Sequence, residues 1–403
     1  MTRVRLADEL LDAQLLRAIG AALYCGADIG ECLAAAAQVK GTDLDSWYAA
    51  WTQLGEQVRE LARVEDAAGH GVSARAAYLR ASTYYRTAGT MLYAVPPDPR
   101  QAASNVAQTE MFRHACELMD TPVEEVEIPF EGSSLPGYFF RPADDSRRRA
   151  TVLLTGGYDG SCEELYFSNG AAALARGYNV LAFDGPGQGA ARLQRGLVMR
   201  PDWDSVITPV VDYLVARPDV DPDRIALIGL SLGAHLAPRA AGGEHRLAAL
   251  IADCGAFDLQ ASFLDRLPDR LAARYRAGHR GARILLAGLL RVIARKPTAG
   301  WALRRGQVVH GVRGPVAYLD GLAGYTLAGH AEKIACPTWV CNAEGDEIGA
   351  TAPQLVAALQ SEKEFVHFTA AEGAADHCEQ GARALYHARS FGWLDDHLDP
   401  GRC

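Results

Sequence analysis

Short apolar runs alternate with helical segments over the last two thirds of the chain. Runs of buried-strand length lie at 151–155, 179–183, 224–230, 247–253, 338–341 and 364–368, and helical patterns such as 203–216 and 385–398 lie between or after them. Parallel strands need a long crossover, usually a helix, so this alternation is typical of a mostly parallel sheet covered by helices on both faces. An alternating pattern at 123–128 that turns back at 135–141 predicts a hairpin before it. We therefore predict an α/β fold with eight strands.

Two regions of the chain lack strand patterns and predict helical additions to the sheet. Residues 1–120 show helical periodicity, which predicts a helical N-terminal domain, with the α/β core over 121–403. Residues 258–335 interrupt the alternation between the sixth and seventh strands. They predict a helical cap insertion at the carboxyl edge of the sheet, where ligands bind in open α/β folds.

Composition excludes several classes of protein. The 403 residues include 22% charged and 49% apolar residues, with a formal net charge of −9, which is the profile of a globular chain without the basic surface that nucleic acid binding needs. No apolar run approaches the roughly 20 residues of a membrane span, and the N-terminus lacks a signal-peptide core. We expect a cytoplasmic protein. The nine cysteines lack paired metal-ligand spacing, which favours free thiols and no metal site.

The pentapeptide Gly-Leu-Ser-Leu-Gly at 229–233 is the strongest local signal for chemistry. It follows an apolar strand pattern and precedes a helical one. A serine at such a turn has a strained backbone, and flanking glycines let strand and helix approach each other. The hydroxyl then lies near the helix N-terminus, whose amides favour a developing oxyanion. This context predicts that Ser231 is a nucleophile.

A nucleophilic serine needs a base and an acid that orients the base. When the serine lies at a turn of this kind, the order along the chain is serine, acid, histidine. The loop after the seventh strand carries Glu344, Asp346 and Glu347. We predict Asp346 as the acid because it follows a glycine where the loop can turn inward. The loop after the eighth strand ends in His377, which we predict as the base.

Three other histidines are assigned to structural positions. His367 lies on the eighth strand and is expected to pack, whereas His387 and His397 lie on the last helix and are expected to face solvent.

An oxyanion hole needs two backbone N–H donors. We expect one from Leu232, directly after the serine, and the other from Gly157 or Tyr158 in the glycine-rich loop after the third strand. The run Asp-Gly-Pro-Gly-Gln-Gly at 184–189 lacks the lysine and the spacing of phosphate-binding loops. It predicts a tight structural turn beside the site.

These motifs together resemble the α/β-hydrolase group that contains dihydroxypseudooxynicotine hydrolase and the fungal polyketide-shortening (naphthopyrone-forming) hydrolases. The matching residues are Gly156-Gly157-Tyr158-Asp159, Glu163-Glu164, the turn at 183–189, the serine at 231, and the segments 334–338, 372–373 and 376–378. The resemblance spans the chain from about residue 83. It implies Ser231, Asp346 and His377 as a catalytic triad and a helical N-terminal domain that covers the active site. The segment before the histidine departs from the group's Gly-x-x-His-type pattern without removing a triad member.

The resemblance also implies a reaction class. We expect a serine hydrolase that works through an acyl-enzyme, with a small-molecule carbonyl substrate and with no cofactor or metal. Its group members split carbon–carbon bonds next to ketones, which implies a bulky aryl-ketone or polyketide-type substrate. Ester or thioester hydrolysis, acyl transfer, and a non-catalytic scaffold are the alternatives. We expect no nucleic acid or membrane partner; a homodimer is left open.

Candidate pocket residues follow from the two helical regions and the glycine-rich loop. The expected substrate-binding residues are Asp159, Tyr84, Tyr85 and Tyr318. Trp301 and Tyr325 are further aromatic candidates, and Asp258 and Asp265 are carboxylates of the cap that could face a substrate.

Overall fold

The computed structural model describes residues 4–298 and 300–399 and contains one eight-stranded sheet. The spatial order is β1-β2-β4-β3-β5-β6-β7-β8; β2 is antiparallel to both of its neighbours, β1 and β4, and all other neighbouring strands are parallel. The strands are β1 Val123–Phe130, β2 Ser133–Phe140, β3 Arg149–Thr155, β4 Asn179–Phe183, β5 Val220–Leu230, β6 Ala249–Asp253, β7 Thr338–Ala343 and β8 Lys363–Phe368.

The central strands form the core of the molecule. All five residues of β4 and of β6 are buried, as expected for strands covered on both faces. All six predicted apolar runs and the predicted hairpin are strands in the structure. The main difference in bounds is β5, which begins at Val220 and not at 224, because its polar first residues lack the apolar pattern of a buried strand.

Five helices precede the sheet: α1 Glu9–Gly20, α2 Ile29–Ala36, α3 Leu44–Ala67, α4 Gly71–Gly89 and α5 Pro99–Glu117. Aspartates at positions 8, 28, 43 and 98 cap α1, α2, α3 and α5 by accepting backbone N–H groups of the first turn. Helix α3 packs along α4, with Trp47 and Trp51 fully buried between the helices. Helices therefore account for the N-terminal region, as the periodicity predicts.

The helices of the sheet region cover both of its faces. They are α6 Cys162–Leu165, α7 Ala171–Leu174, α8 Gly189–Leu193, α9 Asp204–Val215, α10 Gly233–Ala241, α16 Ala352–Ala358 and α17 Arg383–Leu398, with a π-helical turn at Tyr166–Gly170. Between β6 and β7 the chain forms α11 Leu259–Leu264, α12 Asp269–Arg276, α13 Arg280–Ala294, α14 Trp301–Val309 and α15 Pro315–Gly321. This insertion is the region predicted to lack strands.

Two of the predicted histidine environments are wrong. His367 is exposed, because β8 is the edge strand of the sheet and most of its residues face solvent. His387 is buried, because it lies on the face of α17 that packs against the protein. Its Nε2 atom lies 2.6 Å from the carbonyl oxygen of Ser168, and its Nδ1 atom lies 3.2 Å from the hydroxyl of Tyr24.

Two further predictions can be compared with the described ranges. The eight cysteines that these ranges contain are all free thiols, as predicted. Of the helices described, none combines the length and the apolar character that crossing a membrane requires.

Candidate active site

Ser231 occupies the turn between β5 and α10 in a left-handed backbone conformation, with φ of 61°. Such a conformation is costly for a residue other than glycine. The flanking glycines are required by close packing: a Cβ on Gly229 would overlap the carbonyl oxygen of Gly233, and one on Gly233 would overlap that of Thr155. The strand and the helix thus approach too closely for side chains. This packing presents the Ser231 hydroxyl at the carboxyl edge of the sheet.

The structure brings the predicted base and acid to this hydroxyl. His377 Nε2 lies 2.8 Å from Ser231 Oγ, and His377 Nδ1 lies 2.8 Å from Asp346 Oδ2. Asp346 follows β7 and its side chain is only 2% exposed. Its other oxygen accepts the backbone N–H of Ile348 at 2.9 Å, which fixes the carboxylate. The three side chains form one continuous hydrogen-bonded chain.

The two charged members of this chain shift each other's pKa. Burial alone would raise the pKa of Asp346, but the adjacent His377 outweighs it and holds the pKa below its usual range. Burial alone would lower the pKa of His377, but Cys378 and Asp346 outweigh it and hold the pKa well above its usual value. The Asp346 carboxylate therefore stabilises the imidazolium.

The other carboxylates of the same loop have separate partners. Glu344 is exposed and accepts the backbone N–H of Ala370 at 2.7 Å. Glu347 forms an exposed ion pair with Arg266 at 3.2 Å. Asp346 is the member of the loop that contacts His377.

Two backbone segments adjoin Ser231, the loop after β3 and the start of α10. A Cβ on Gly157 would lie 2.9 Å from the Ser231 Cβ and 3.1 Å from its Oγ, so the loop after β3 runs directly beside the serine. Leu232 is the N-cap residue of α10. Within the described ranges, the N–H groups of Gly157, Tyr158 and Leu232 donate no hydrogen bond to the protein. Free donors at these positions are what an oxyanion hole needs.

The turn at 184–189 supports this loop, as the sequence predicts for a structural turn. The side-chain amide of Gln188 donates to the carbonyl oxygens of Gly156 at 2.6 Å and Gly157 at 3.3 Å. The Asp184 carboxylate accepts the backbone N–H groups of Cys162 and Ala190, both at 2.7 Å. The peptide groups beside Ser231 are thereby held in place.

A cluster of ring side chains from the insertion contacts the same loop. The Tyr158 hydroxyl lies 3.0 Å from His310 Nε2 and 3.1 Å from the Tyr318 hydroxyl, and the Tyr325 hydroxyl lies 3.3 Å from His310 Nδ1. Burial lowers the pKa of His310 to about 4, so its imidazole is neutral. Tyr318 therefore contacts the loop that follows β3 through the Tyr158 hydroxyl; its role in binding a substrate stays a prediction. The sequence contains no local signal for His310, because no chemical motif surrounds it.

The structure does not bring Tyr84 and Tyr85 to the Ser231 site, and both side chains have partners among the N-terminal helices. The Tyr84 hydroxyl donates to Glu31 at 2.6 Å and accepts the backbone N–H of Asp28 at 2.9 Å. The Tyr85 ring packs against Gly55 of α3. Helical periodicity places both residues on the faces of α4 that pack inside the N-terminal helices.

Asp159 lies in an arginine cluster beside the loop. Its carboxylate accepts from Arg17 at 2.9 Å and Arg305 at 3.2 Å, and lies 3.9 Å from Arg86. Burial alone would raise the pKa of Asp159, but Arg17, Arg305 and Arg86 outweigh it and hold the pKa well below its usual range. No sequence motif marks these three arginines, since they come from α1, α4 and α14.

Trp301 and the cap carboxylates have structural partners. The Trp301 indole donates to the carbonyl oxygen of Thr90 at 2.9 Å. Asp258 caps α11 by accepting the N–H of Ala261 at 2.7 Å, and Asp265 forms an exposed ion pair with Arg276 at 2.8 Å. These contacts give no support to a substrate-binding role for either carboxylate.

Among the residues that the structure describes, three groups of side chains have the residue types that could hold a metal ion. In each group the ligand atoms lie within 4.8 Å of one another: Cys254, His377 and Cys378; Cys162, Glu163 and Asp184; and Asp253, Cys341 and Glu379. The groups are mostly buried, and their members already bond to one another or to backbone groups, as in the contact from Cys378 N–H to Cys254 Sγ at 3.3 Å.

The sheet order and the serine turn with its hydrogen-bonded histidine and aspartate define a class, the α/β-hydrolase fold. Comparison with known families agrees with this class. Residues 151–387 match the model described as "Alpha/beta hydrolase family", and residues 36–258 match the one described as "Esterase FrsA-like". The chain belongs to the α/β hydrolase family.

Curated relatives resemble this chain along nearly its whole length. Hydrolase LUC6 of Fusarium sp. is 35% identical over 400 residues, which cover 95% of each chain. The 20-hydroxy-prefusarin hydrolase FUS2 of Gibberella moniliformis is 34% identical over 410 residues, with 96% of each chain covered. Hydrolase acrC of Aspergillus aculeatus is 32% identical over 419 residues, again with 96% coverage. The chain is thus an enzyme of the α/β-hydrolase type.

A solved structure shares the complete fold. The crystal structure of 2,6-dihydroxy-pseudo-oxynicotine hydrolase superposes with a TM-score of 0.75 at 22% identity, covering 94% of this chain and 95% of that one. The match includes the helical N-terminal region as well as the sheet. The predicted fold class and the predicted group resemblance are confirmed.

Proposed function

We propose that this enzyme is a serine hydrolase that cleaves a carbonyl compound through an acyl-enzyme. Ser231 is the nucleophile, His377 the general base and then acid, and Asp346 the carboxylate that orients the imidazole. The observation that carries this proposal is the continuous chain of two 2.8 Å hydrogen bonds from Ser231 through His377 to Asp346. The free amides of Leu232 and of Gly157 or Tyr158 are the proposed oxyanion donors.

The reaction proceeds in two halves on this geometry. His377 takes the proton of Ser231 as Ser231 Oγ bonds to the substrate carbonyl carbon. The oxyanion that forms accepts hydrogen bonds from the backbone amides. Collapse of the tetrahedral intermediate breaks the bond to the leaving group, which receives the proton from His377. Water, deprotonated by His377, then attacks the acyl-enzyme and releases a carboxylic acid and the free serine.

The proposed bond is a carbon–carbon bond next to a ketone in a bulky aryl-ketone or polyketide-type compound. In that case the leaving group is an enolate or an electron-rich aromatic carbon, which must be protonated before water enters. The cluster of Tyr158, His310, Tyr318 and Tyr325 supports such a closed pocket, since it joins the insertion to the oxyanion loop. Ester or thioester hydrolysis is the alternative, because Ser231, His377 and Asp346 can perform it by the same steps.

Closure of the site by both helical regions is part of this proposal. Arg17 of α1 and Arg305 of α14 both bond to Asp159, two residues after Gly157. The N-terminal helices and the insertion are therefore tied to the same loop, and we assign substrate selectivity to them.

The first experiment tests the nucleophile. A fluorophosphonate probe should label Ser231, and Ser231→Ala should abolish labelling and lower turnover on the order of 10⁴-fold or more. Ser205→Ala, at an exposed serine hydrogen-bonded to Asp202, is the matched control and should behave as wild type. Labelling of a different serine in the Ser231→Ala protein would refute the assignment.

The second experiment tests the bond type. We expect kcat/KM for 1-phenyl-1,3-butanedione to exceed that for p-nitrophenyl acetate, and Tyr318→Phe to lower the former more than the latter. A preference for the small ester that Tyr318→Phe leaves unchanged would favour the esterase alternative.

A further inference from the structure

Two narrow clefts separate α4 and α5 from the loop that follows the candidate oxyanion residues. They are small, with cavity volumes of about 30 and 40 Å³, and both are partly open to solvent. Arg86 and Gln108 line both clefts. The clefts therefore meet at these two side chains, at the junction of the N-terminal helices with the hydrolase core.

The two helices present polar stripes to the clefts although the stripes are buried. On α4 and its C-cap the stripe is Ser82, Arg86 and Thr90, four residues apart; on α5 it is Gln101, Asn105 and Gln108. Each of these six residues is at most 8% exposed. A helix that packs against a protein core normally buries an apolar stripe, and a buried polar group needs a partner. Five of the six have partners within the protein, as in the bonds from the Ser82 hydroxyl to the Gln108 carbonyl oxygen and from Gln194 to Asn105. Arg86 is the member of these stripes that retains unbonded donors.

Arg86 belongs to a local group of side chains in which the positive charges outnumber the negative ones. Arg17, Arg86 and Arg305 surround two carboxylates, Asp159 and Glu164, which Arg17 already engages through three hydrogen bonds. Arginine keeps its charge in proteins, so this group of five has one surplus positive charge.

Glu163 is the next carboxylate along the cleft, and it does not compensate Arg86 directly. Its oxygens accept from Gln108 at 3.0 Å and Thr109 at 2.9 Å, and burial raises its pKa.

The guanidinium of Arg86 also has unused donors. Its Nε and Nη2 atoms are buried and make no hydrogen bond, although Nη2 lies 3.2 Å from a Glu164 oxygen without hydrogen-bond geometry. Burial lowers the pKa of Arg86, and the neighbouring Arg17 acts in the same direction. An anion placed against Arg86 would supply both the missing charge and the missing acceptor.

The second of the two clefts adjoins the loop after β3. Asp159, Gly160 and Ser161 line it, and a Cβ on Gly160 would lie 3.5 Å from the backbone nitrogen of Gly157. Ser161 is itself held by Gln108 of the polar stripe, at 2.5 Å. An occupant of the cleft thus contacts the segment that continues directly into the amides beside Ser231.

We infer that Arg86 anchors a binding site for a carboxylate group in the clefts between α4, α5 and residues 159–161. The carboxylate belongs either to the substrate, as an acidic end beyond the reacting carbonyl, or to a separate small acid. The chemistry of recognition is the same: a planar anion meets the two unused donors of a buried guanidinium. Only the substrate arm of the following test rests on the proposed function.

Binding to the Ser231→Ala protein tests the site without turnover. The probes are 4-benzoylbutyrate and its neutral carboxamide, titrated by calorimetry. We expect the acid to bind about 10-fold or more tightly than the amide and Arg86→Gln to bring the two affinities within about 2-fold. Equal affinities of the acid and the amide for the Ser231→Ala protein that retains Arg86 would overturn the inference. An acid preference that survives Arg86→Gln would also overturn it.

Matched variants guard against a folding defect. Arg304→Gln removes another partly buried arginine, whose guanidinium donates to the carbonyl oxygens of Tyr93, Ala294 and Lys296; the acid preference should survive it. Arg86→Lys keeps the charge but loses the fork of donors, and should weaken acid binding about 3-fold or more. If Arg86→Gln does not fold, unchanged acid binding by Arg86→Lys would overturn the inference.

Turnover distinguishes the two sources of the carboxylate. With wild-type enzyme, we compare p-nitrophenyl hydrogen glutarate with p-nitrophenyl valerate, with and without free glutarate. A preference for the anionic ester that Arg86→Gln removes assigns the carboxylate to the substrate. An effect of free glutarate on valerate turnover that Arg86→Gln removes assigns it to a separate acid. If neither ester is hydrolysed, the proposed function fails while the binding titration still decides the site.

Discussion

The imidazole of His377 titrates beside a buried carboxylate. Cys378 and the Asp346 carboxylate outweigh burial and raise the pKa of His377 above the usual value. In the proposed mechanism, only the neutral imidazole can take the serine proton. The same shift stabilises the folded protein below a pH of about 6.5, and this contribution is lost as the pH rises through the raised pKa.

We therefore expect kcat/KM for a p-nitrophenyl ester to rise with pH through a midpoint above about 6.5. Asp346→Asn should shift this midpoint downward and lower the rate on the order of 10⁴-fold. Glu344→Gln, in the same loop but bonded to the N–H of Ala370, is the control and should change neither. An unshifted midpoint in Asp346→Asn would show that a different group orients the base.

The two misassigned histidines predict opposite effects on stability. His387→Ala leaves the carbonyl of Ser168 and the hydroxyl of Tyr24 without their partner, and should lower the free energy of unfolding by about 1–3 kcal/mol. His367→Ala, on the exposed edge strand, should stay within about 0.5 kcal/mol of wild type. Urea titration at pH 7 measures both; equal losses would contradict the structure.

The pKa of His387 gives this prediction a pH dependence. Burial, with help from Arg383, lowers the pKa of His387 to about 3. A histidine with a depressed pKa stabilises the fold above its unfolded value of about 6.5, and this contribution falls as the pH drops toward 3. The stability difference between wild type and His387→Ala should therefore shrink between these pH values.

The strand–turn–helix unit of β5 and α10 depends on its glycines. In Gly229→Ala the new methyl group would overlap the carbonyl of Gly233, and relief would require the helix to move away from the strand. We expect a loss of about 1–3 kcal/mol in stability together with a lower kcat, since Ser231 moves with the turn. Thermal unfolding and ester hydrolysis measure the two effects.

Gly288→Ala provides the control for this element. Gly288 lies on the exposed face of α13 with open space around it, so alanine should stabilise the helix by about 0.5–1 kcal/mol without changing kcat. A Gly229→Ala protein that keeps wild-type stability and activity would show that the turn can accept a side chain.

Across the whole molecule, Asp159 joins three parts of the chain. It binds Arg17 of the N-terminal helices and Arg305 of the insertion, and it belongs to the loop after β3. Asp159→Asn leaves the arginines with one carboxylate, Glu164, and should cost about 3–5 kcal/mol of stability. Hydrogen exchange should accelerate in α1 and α14 more than in α17.

The exposed pair of Asp265 with Arg276 is the control for this prediction. Asp265→Asn should change stability by less than about 1 kcal/mol, because exposed ion pairs contribute little. Uniform acceleration of exchange in Asp159→Asn, including α17, would argue that Asp159 supports the global fold and not the junction of the helical regions. The division into a helical domain and a core stays a prediction.

The sequence by itself determined the strands of the sheet and the serine turn. It also identified Asp346 and His377 as the carboxylate and the imidazole that lie next to Ser231 in the structure. These features depend on contiguous residues: a strand needs its own apolar run, and the turn at Ser231 needs glycines beside it. The order of strands and loops then places Ser231, Asp346 and His377 at one edge of the sheet.

Tertiary structure decided the features that depend on contacts between distant segments. The burial of His387 depends on its neighbours in space, and the placement of Tyr84 depends on which face of α4 packs inward. Arg17, Arg86 and Arg305 meet Asp159 only because α1, α4 and α14 converge on one loop. No local pattern encodes these contacts, since each arginine alone has the sequence context of a solvated helix residue. The physical reason is that burial and charge pairing are properties of the packed chain.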